Sequence, residues 1–73
     1  MTGKPRKHSL TIAGHRTSIS LEDDFWDALK EMSASTDRSI AELVRDIDAT
    51  RGTRSLSSAI RSAVLTHYRT RGK

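Results

Sequence analysis

The sequence predicts a mainly α protein with a short β-ribbon, in which two chains intertwine and each contributes a strand followed by three helices. Three observations predict it. Residues 16–21 alternate between apolar and polar, the period-two signature of a strand buried on one side. Three later segments repeat apolar residues at helical spacing. The chain has 73 residues and no cysteine. A domain of this size buries only about 60% of the surface its unfolded chain exposes. Small folds offset that deficit with disulfides, a metal or a partner chain. Without cysteine, disulfides and any cysteine-based zinc site are gone, and a second copy of the chain becomes the first-ranked supplement.

Residues 1–8 read as a flexible basic arm, because Pro5 and the charges around it offer nothing to bury. Residues 9–73 read as a single domain. Within it, Thr17, Ile19 and Leu21 share one strand face, while Arg16, Ser18 and Ser20 share the other. Upstream, Leu10-Thr11-Ile12 fits a second short strand with Ala13-Gly14-His15 as the turn. Gly14 can take the positive φ that a tight hairpin or a bulge requires. A hairpin and one bulged strand both remain open at this stage.

At Glu22 the period changes. Phe25, Ala28, Leu29 and Met32 form one helical stripe with Trp26 beside it. Glu22, Asp23 and Asp24 crowd the first turn, where the helix dipole favours negative charge. Ser20 and Asp23 have the spacing of a capping box. The helix is expected to fade near Ser35-Thr36-Asp37. Ser39 then serves as an N-cap, and Ile40, Leu43, Val44 and Ile47 carry a second stripe to about Ala49. Gly52 marks a stop. A third helix, about residues 56–70, keeps Leu56, Ala59, Ile60, Ala63 and Val64 on one face, capped by Ser55 or Ser57.

The net charge of +4 is unevenly laid out. Residues 1–21 hold Lys4, Arg6, Lys7 and Arg16 with no acid, residues 22–48 hold all nine acids, and residues 49–73 hold six bases and no acid. Basic flanks around an acidic centre point to a polyanionic partner met by the ends. No apolar run approaches the roughly 20 residues of a membrane helix, and the basic N-terminus leads into no apolar stretch of the secretory kind. The expected location is therefore cytoplasmic and nucleoid-associated.

A strand with no partner leaves its backbone N–H and C=O groups unsatisfied. If residues 16–21 are the one principal strand, its partner is the same strand of a second copy, antiparallel across a two-fold axis. The inward faces then cap a shared dimer core of Ile19, Leu21, Phe25, Trp26, Leu29, Met32, Leu43, Val44 and Ile47. The outward faces form a two-stranded ribbon, an element that fits the major groove of duplex DNA.

Three stretches, Thr17-Ser18-Ile19-Ser20-Leu21, Phe25-Trp26-Asp27-Ala28-Leu29 and Arg38-Ser39-Ile40-Ala41-Glu42-Leu43-Val44, resemble the ribbon-helix-helix (Arc/MetJ-like) family in order and spacing. The stretch Leu10 to Ser18 is closer still to a short bacterial subfamily of that fold. The resemblance implies a homodimeric transcriptional regulator, often a repressor, that binds double-stranded DNA. It implies base contacts by the outward residues Arg16, Ser18 and Ser20. It also implies a phosphate held by the N–H groups around Ser39, Ile40 and Ala41, a role that helix N-termini favour physically. Lys4, Arg6, Lys7, His15 and Arg38 are the accompanying phosphate contacts.

Departures from the family pattern stand beside these matches. Glu22 occupies a position where relatives place Pro, and Asp37-Arg38 stands where a Gly is common. Ser18 and Ser20 cannot make the bidentate base contacts of Arg, Lys, Asn or Gln, so discrimination is expected to be weak. Bland readings compete as well: Arg16 as a solvated charge, Ser20 as a cap, and Trp26 as core or interface rather than a base-stacking platform.

No cofactor, metal site or catalysis is expected. His8, His15 and His67 form no ligand spacing, and no serine has a positioned base. Two other functions fit the fold: an antitoxin whose C-terminal segment clasps a toxin, and an adaptor that meets a protein partner through a basic third helix (Arg61, Arg69, Arg71 and Lys73) without DNA.

Overall fold

The computed structural model describes residues 4–71. Met1, Thr2 and Gly3 of the expected arm, Lys73 of the basic tail and the Arg71 side chain lie outside what is described. The order of elements is β1 (Arg6–Ile12), β2 (His15–Leu21), α1 (Asp23–Thr36), α2 (Ile40–Thr50) and α3 (Leu56–Arg71). The two strands form an antiparallel hairpin whose register runs from Ile12 opposite His15 to Arg6 opposite Leu21.

The hairpin closes through two residues. Ala13 (φ 52°) and Gly14 (φ 83°) are both left-handed, the type I′ arrangement whose twist matches paired strands. Of the two alternatives the sequence leaves open, the chain takes the hairpin. His15 belongs to β2 rather than to the turn. β1 also extends further upstream than Leu10, so Arg6, Lys7 and His8 lie in a strand and not in a free arm. Pairing with β2 recruits them into the ladder, and the His8 ring stacks on Trp26 at 3.9 Å and 8°. Arg6 reaches Asp23 at 3.6 Å.

Within the chain, β1 is thus the strand paired with β2, whereas the sequence reading pairs β2 with the same strand of a second copy. That reading rests on one principal strand, and the described residues form two.

α1 begins after Glu22, whose side chain makes no cap bond. The Ser20–Asp23 capping box does not form, because Ser20 is still in β2. Ser20 instead donates its backbone N–H to Ser57 Oγ at 3.3 Å. α1 ends on Asp37 in the left-handed region (φ 58°), its N–H bonded to the Ser33 carbonyl. α2 opens with a reciprocal capping box: Glu42 N–H donates to Ser39 Oγ (3.1 Å), and Ser39 N–H donates to Glu42 Oε1 (2.9 Å). At α3, Ser58 N–H donates to Ser55 Oγ at 3.1 Å, so Ser55 and not Ser57 is the capping serine.

The core lies between the hairpin's inner face and the three helices. Leu21, Leu29, Val44 and Ile60 are its fully buried side chains, joined by Ile12, Ile19, Met32, Leu43, Ala59 and Val64. Of the residues expected to form a dimer core, Ile19, Leu21, Leu29, Leu43 and Val44 are buried inside one chain, while Phe25, Trp26 and Ile47 pack against this core half-buried. α3 adds Ala59, Ile60 and Val64 to this interior.

One polar clamp fixes α3. Arg61 donates to both Glu22 oxygens, from Nε at 2.9 Å and from a terminal nitrogen at 3.2 Å, and its guanidinium lies 6.0 Å from the centre of the Phe25 ring. The Arg61 hydrogen bond is the main cause holding the Glu22 carboxyl below its ordinary value.

Two outcomes follow. Leu29→Ala opens a cavity in the fully buried centre and should lower unfolding free energy by about 3 kcal/mol, read from urea denaturation. The lowered carboxyl of Glu22 stabilises the fold above the ordinary carboxylate range, and that contribution fades as pH falls through it. Arg61→Ala should therefore raise the Glu22 midpoint in a carboxyl-carbon NMR titration and flatten the acid limb of thermal stability; an unmoved Glu22 midpoint would contradict the clamp.

Candidate nucleic-acid interface

Strand alternation divides the hairpin into two faces. His8, Leu10, Ile12, Thr17, Ile19 and Leu21 turn inward. The outward face is built from three directly opposed pairs: Lys7 with Ser20, Ser9 with Ser18, and Thr11 with Arg16. Lys7, Ser9, Thr11, Arg16 and Ser18 are exposed, and Ser20 is half-buried. This surface is polar throughout, with a cation toward each end and hydroxyls between.

The predicted base-facing residues Arg16, Ser18 and Ser20 thus share one face with each other. Arg16 is exposed, and no hydrogen bond or ion pair engages its guanidinium among the described residues. Ser20 is the least available of the three, since Ser57 is bound to its backbone. Lys7, expected as an arm residue, stands on the ribbon itself. Ser9 and Thr11 complete the face and were not assigned from sequence. Their signal was present in the alternation of Ser9 and Thr11 with Leu10 and Ile12, but it had no partner strand to give it meaning.

The predicted phosphate residues do not converge equally. Lys4 and His15 are exposed. Arg6 is partly committed to Asp23. The Arg38 guanidinium is held by the Asp46 carboxylate in a close ion pair, which raises its pKa above the ordinary value. At the start of α2 the capping box already engages the N–H groups of Ser39 and Glu42. The N–H groups of Ile40 and Ala41 remain, since the first N–H groups of a helix have no intrahelical acceptor. An anion at this site meets two free donors with the Glu42 carboxylate beside them, a weaker site than the sequence implies.

The basic face of α3 also shrinks. Arg61 is bound to Glu22 and is part of the fold, leaving Arg69 exposed beyond it. Tyr68 donates to Glu31 at 2.6 Å and ties the far end of α3 to α1. Among the described residues, no three His, Cys, Asp or Glu side chains stand together as a metal site. No helix among them is long and apolar enough to cross a membrane.

A family model described as a ribbon-helix-helix domain matches residues 5–68. That span takes in the hairpin, α1, α2 and α3 as far as Tyr68, so both the added strand and the third helix fall inside the matched domain. No curated protein and no solved structure matches significantly. With nearly the whole chain covered by one model and the strand, helix and helix in the required order, the chain belongs to the ribbon-helix-helix family, whose members are DNA-binding regulators.

Proposed function

We propose that this chain binds double-stranded DNA as a homodimer and regulates transcription, laying the outward face of its hairpin in the major groove. The observation that carries the proposal is that face: six polar side chains on a two-stranded ribbon, with Arg16 exposed and engaged by no acid. A ribbon of two strands matches the width of the major groove, and Arg is the side chain best able to grip guanine there. Lys4, Lys7 and His15 supply phosphate attraction from around the ribbon, and the Ile40 and Ala41 N–H groups add a helix-terminal contact. The reading assigns the protein no catalytic step, and its place of action is the nucleoid.

The packing of α3 weighs against the two rival functions. A C-terminal segment that clasps a toxin would be free until bound, whereas α3 buries Ala59, Ile60 and Val64 in the core and is clamped by Glu22. An adaptor acting through basic α3 loses Arg61 to the same clamp.

Fluorescence-anisotropy titration of a labelled mixed-sequence duplex tests the proposal. Affinity should fall between about 50 and 200 mM salt with a log–log slope near −0.9 per neutralised phosphate. Arg16→Ala should weaken binding about tenfold or more, while Lys7→Ala should weaken all sequences alike and reduce the slope by about one. Sedimentation equilibrium should give twice the chain mass. A folded protein that fails to bind duplex at either salt would overturn the proposal. Asp46→Asn, which releases Arg38, should strengthen binding a few-fold at low salt and leave little difference at high salt.

A further inference from the structure

We infer that the groove between the three helices binds a medium-chain aliphatic carboxylate, whose charge meets Arg54 and whose chain lies on Met32, Ile47, Ala59 and Ala63. The helices and the loop before α3 form this site without the hairpin, and it does not depend on DNA binding.

Shape sets the size of the occupant. A groove of about 490 Å³ opens where α1, α2 and α3 meet, a volume within the range of small-molecule sites. Met32 of α1, Ile47 of α2 and Ala59 and Ala63 of α3 give it an apolar floor. Along α3 the lining falls at Ala59, Ser62, Ala63 and Thr66, one helical face that runs about 10 Å along the axis. The small side chains of Ala59 and Ala63 keep that face low, so an extended alkyl chain can lie along it. Met32 is the adaptable member of the floor, an unbranched side chain that fits itself to what it meets.

The polar groups choose the head. Among the described residues, none that lines the groove carries a carboxylate. The acids of the neighbouring α2 turns, Asp46 and Asp48, are engaged by Arg38 and Arg51. Arg54 stands at the end of the groove where α3 begins. Its Nε donates to the Arg51 carbonyl at 3.1 Å, which holds the guanidinium in place, and no acid meets its terminal nitrogens among the described residues. A carboxylate is the group that such a fork pairs with most directly.

Two further observations favour a ligand that brings oxygen atoms over an apolar cover. The Ser62 and Thr66 hydroxyls carry no hydrogen bond among the described residues. His67 lines the far end of the groove, and its Nε2 is buried without a partner. Buried polar atoms are normally partnered. The apolar face of a helix from a second copy would cover these groups and leave them, with Arg54, unserved.

Amide NMR of the full chain, titrated separately with octanoate, 1-octanol and octylamine, tests the inference. Octanoate should shift the Ile47, Thr50, Arg54 and Ala63 signals saturably, with a dissociation constant on the order of 1 mM. 1-Octanol should bind about fivefold more weakly, as expected for the loss of one exposed ion pair, and octylamine more weakly still. Arg54→Gln should bring octanoate down to the level of 1-octanol and leave 1-octanol unchanged. Ala63→Leu, at a half-buried floor position, should abolish binding of both; Ser62→Leu, at an exposed one, fills the same groove if the first variant does not fold. Equal binding of the three probes would overturn the inference, as would shifts that never saturate or that spread over the hairpin. Sedimentation equilibrium should give the same mass with and without octanoate. Octanoate that splits a dimer, or groove signals that move with protein concentration alone, would show a second copy to be the occupant and overturn it as well.

Discussion

Every backbone N–H and C=O of β2 must find a partner or water, and the way this demand is met shapes the molecule. A type I′ turn of two left-handed residues, Ala13 and Gly14, brings β1 alongside β2. The pairing has two effects at once. It turns Ile12, Ile19 and Leu21 into a continuous apolar floor for the helices, and it turns Lys7, Ser9, Thr11, Arg16, Ser18 and Ser20 outward as one polar face. Ala13 is held at φ 52°, a conformation that costs an L-residue about 1 kcal/mol. The hairpin's burial and its ladder of hydrogen bonds offset that cost.

The third helix completes what the hairpin starts. Ala59, Ile60 and Val64 fill the space over the hairpin and the other two helices. The Glu22–Arg61 clamp and the Ser57–Ser20 bond then fix α3 to the end of β2 and the start of α1. α3 thus closes the interior of a chain that has no cysteine, and charges that look free in sequence prove to be structural.

Local features were legible in the sequence because local physics decides them. The stripes of Phe25, Ala28, Leu29 and Met32, of Ile40, Leu43, Val44 and Ile47, and of Leu56, Ala59, Ile60, Ala63 and Val64 each specify a helix and its buried side. Ser39 specifies the start of α2 through its own hydroxyl. The alternation of residues 16–21 assigns Arg16, Ser18 and Ser20 to the outward face. What sequence did not reveal is long-range. Arg6 and Lys7 are poor strand formers by composition, and only pairing with β2 recruits them. Arg61 finds Glu22 across 39 positions of chain, and Arg38 finds Asp46 on the far side of the α2 capping box. Those two acids remove two cations from a list that charge alone had made longer.

The Ser57–Ser20 bond has a consequence for solubility. A two-stranded sheet has two open edges, and open edges invite unrelated strands to add on. On the β1 side, Arg6 and Lys7 place positive charge where an incoming strand would dock, and Pro5 precedes the strand with no N–H to offer. On the β2 side the guard is α3, which occupies the Ser20 N–H with a serine hydroxyl. The helix that completes the interior therefore also acts as a gatekeeper against runaway strand addition. A chain cut short before Leu56 would uncover an apolar floor and a strand edge in the same place, the combination from which fibrils grow.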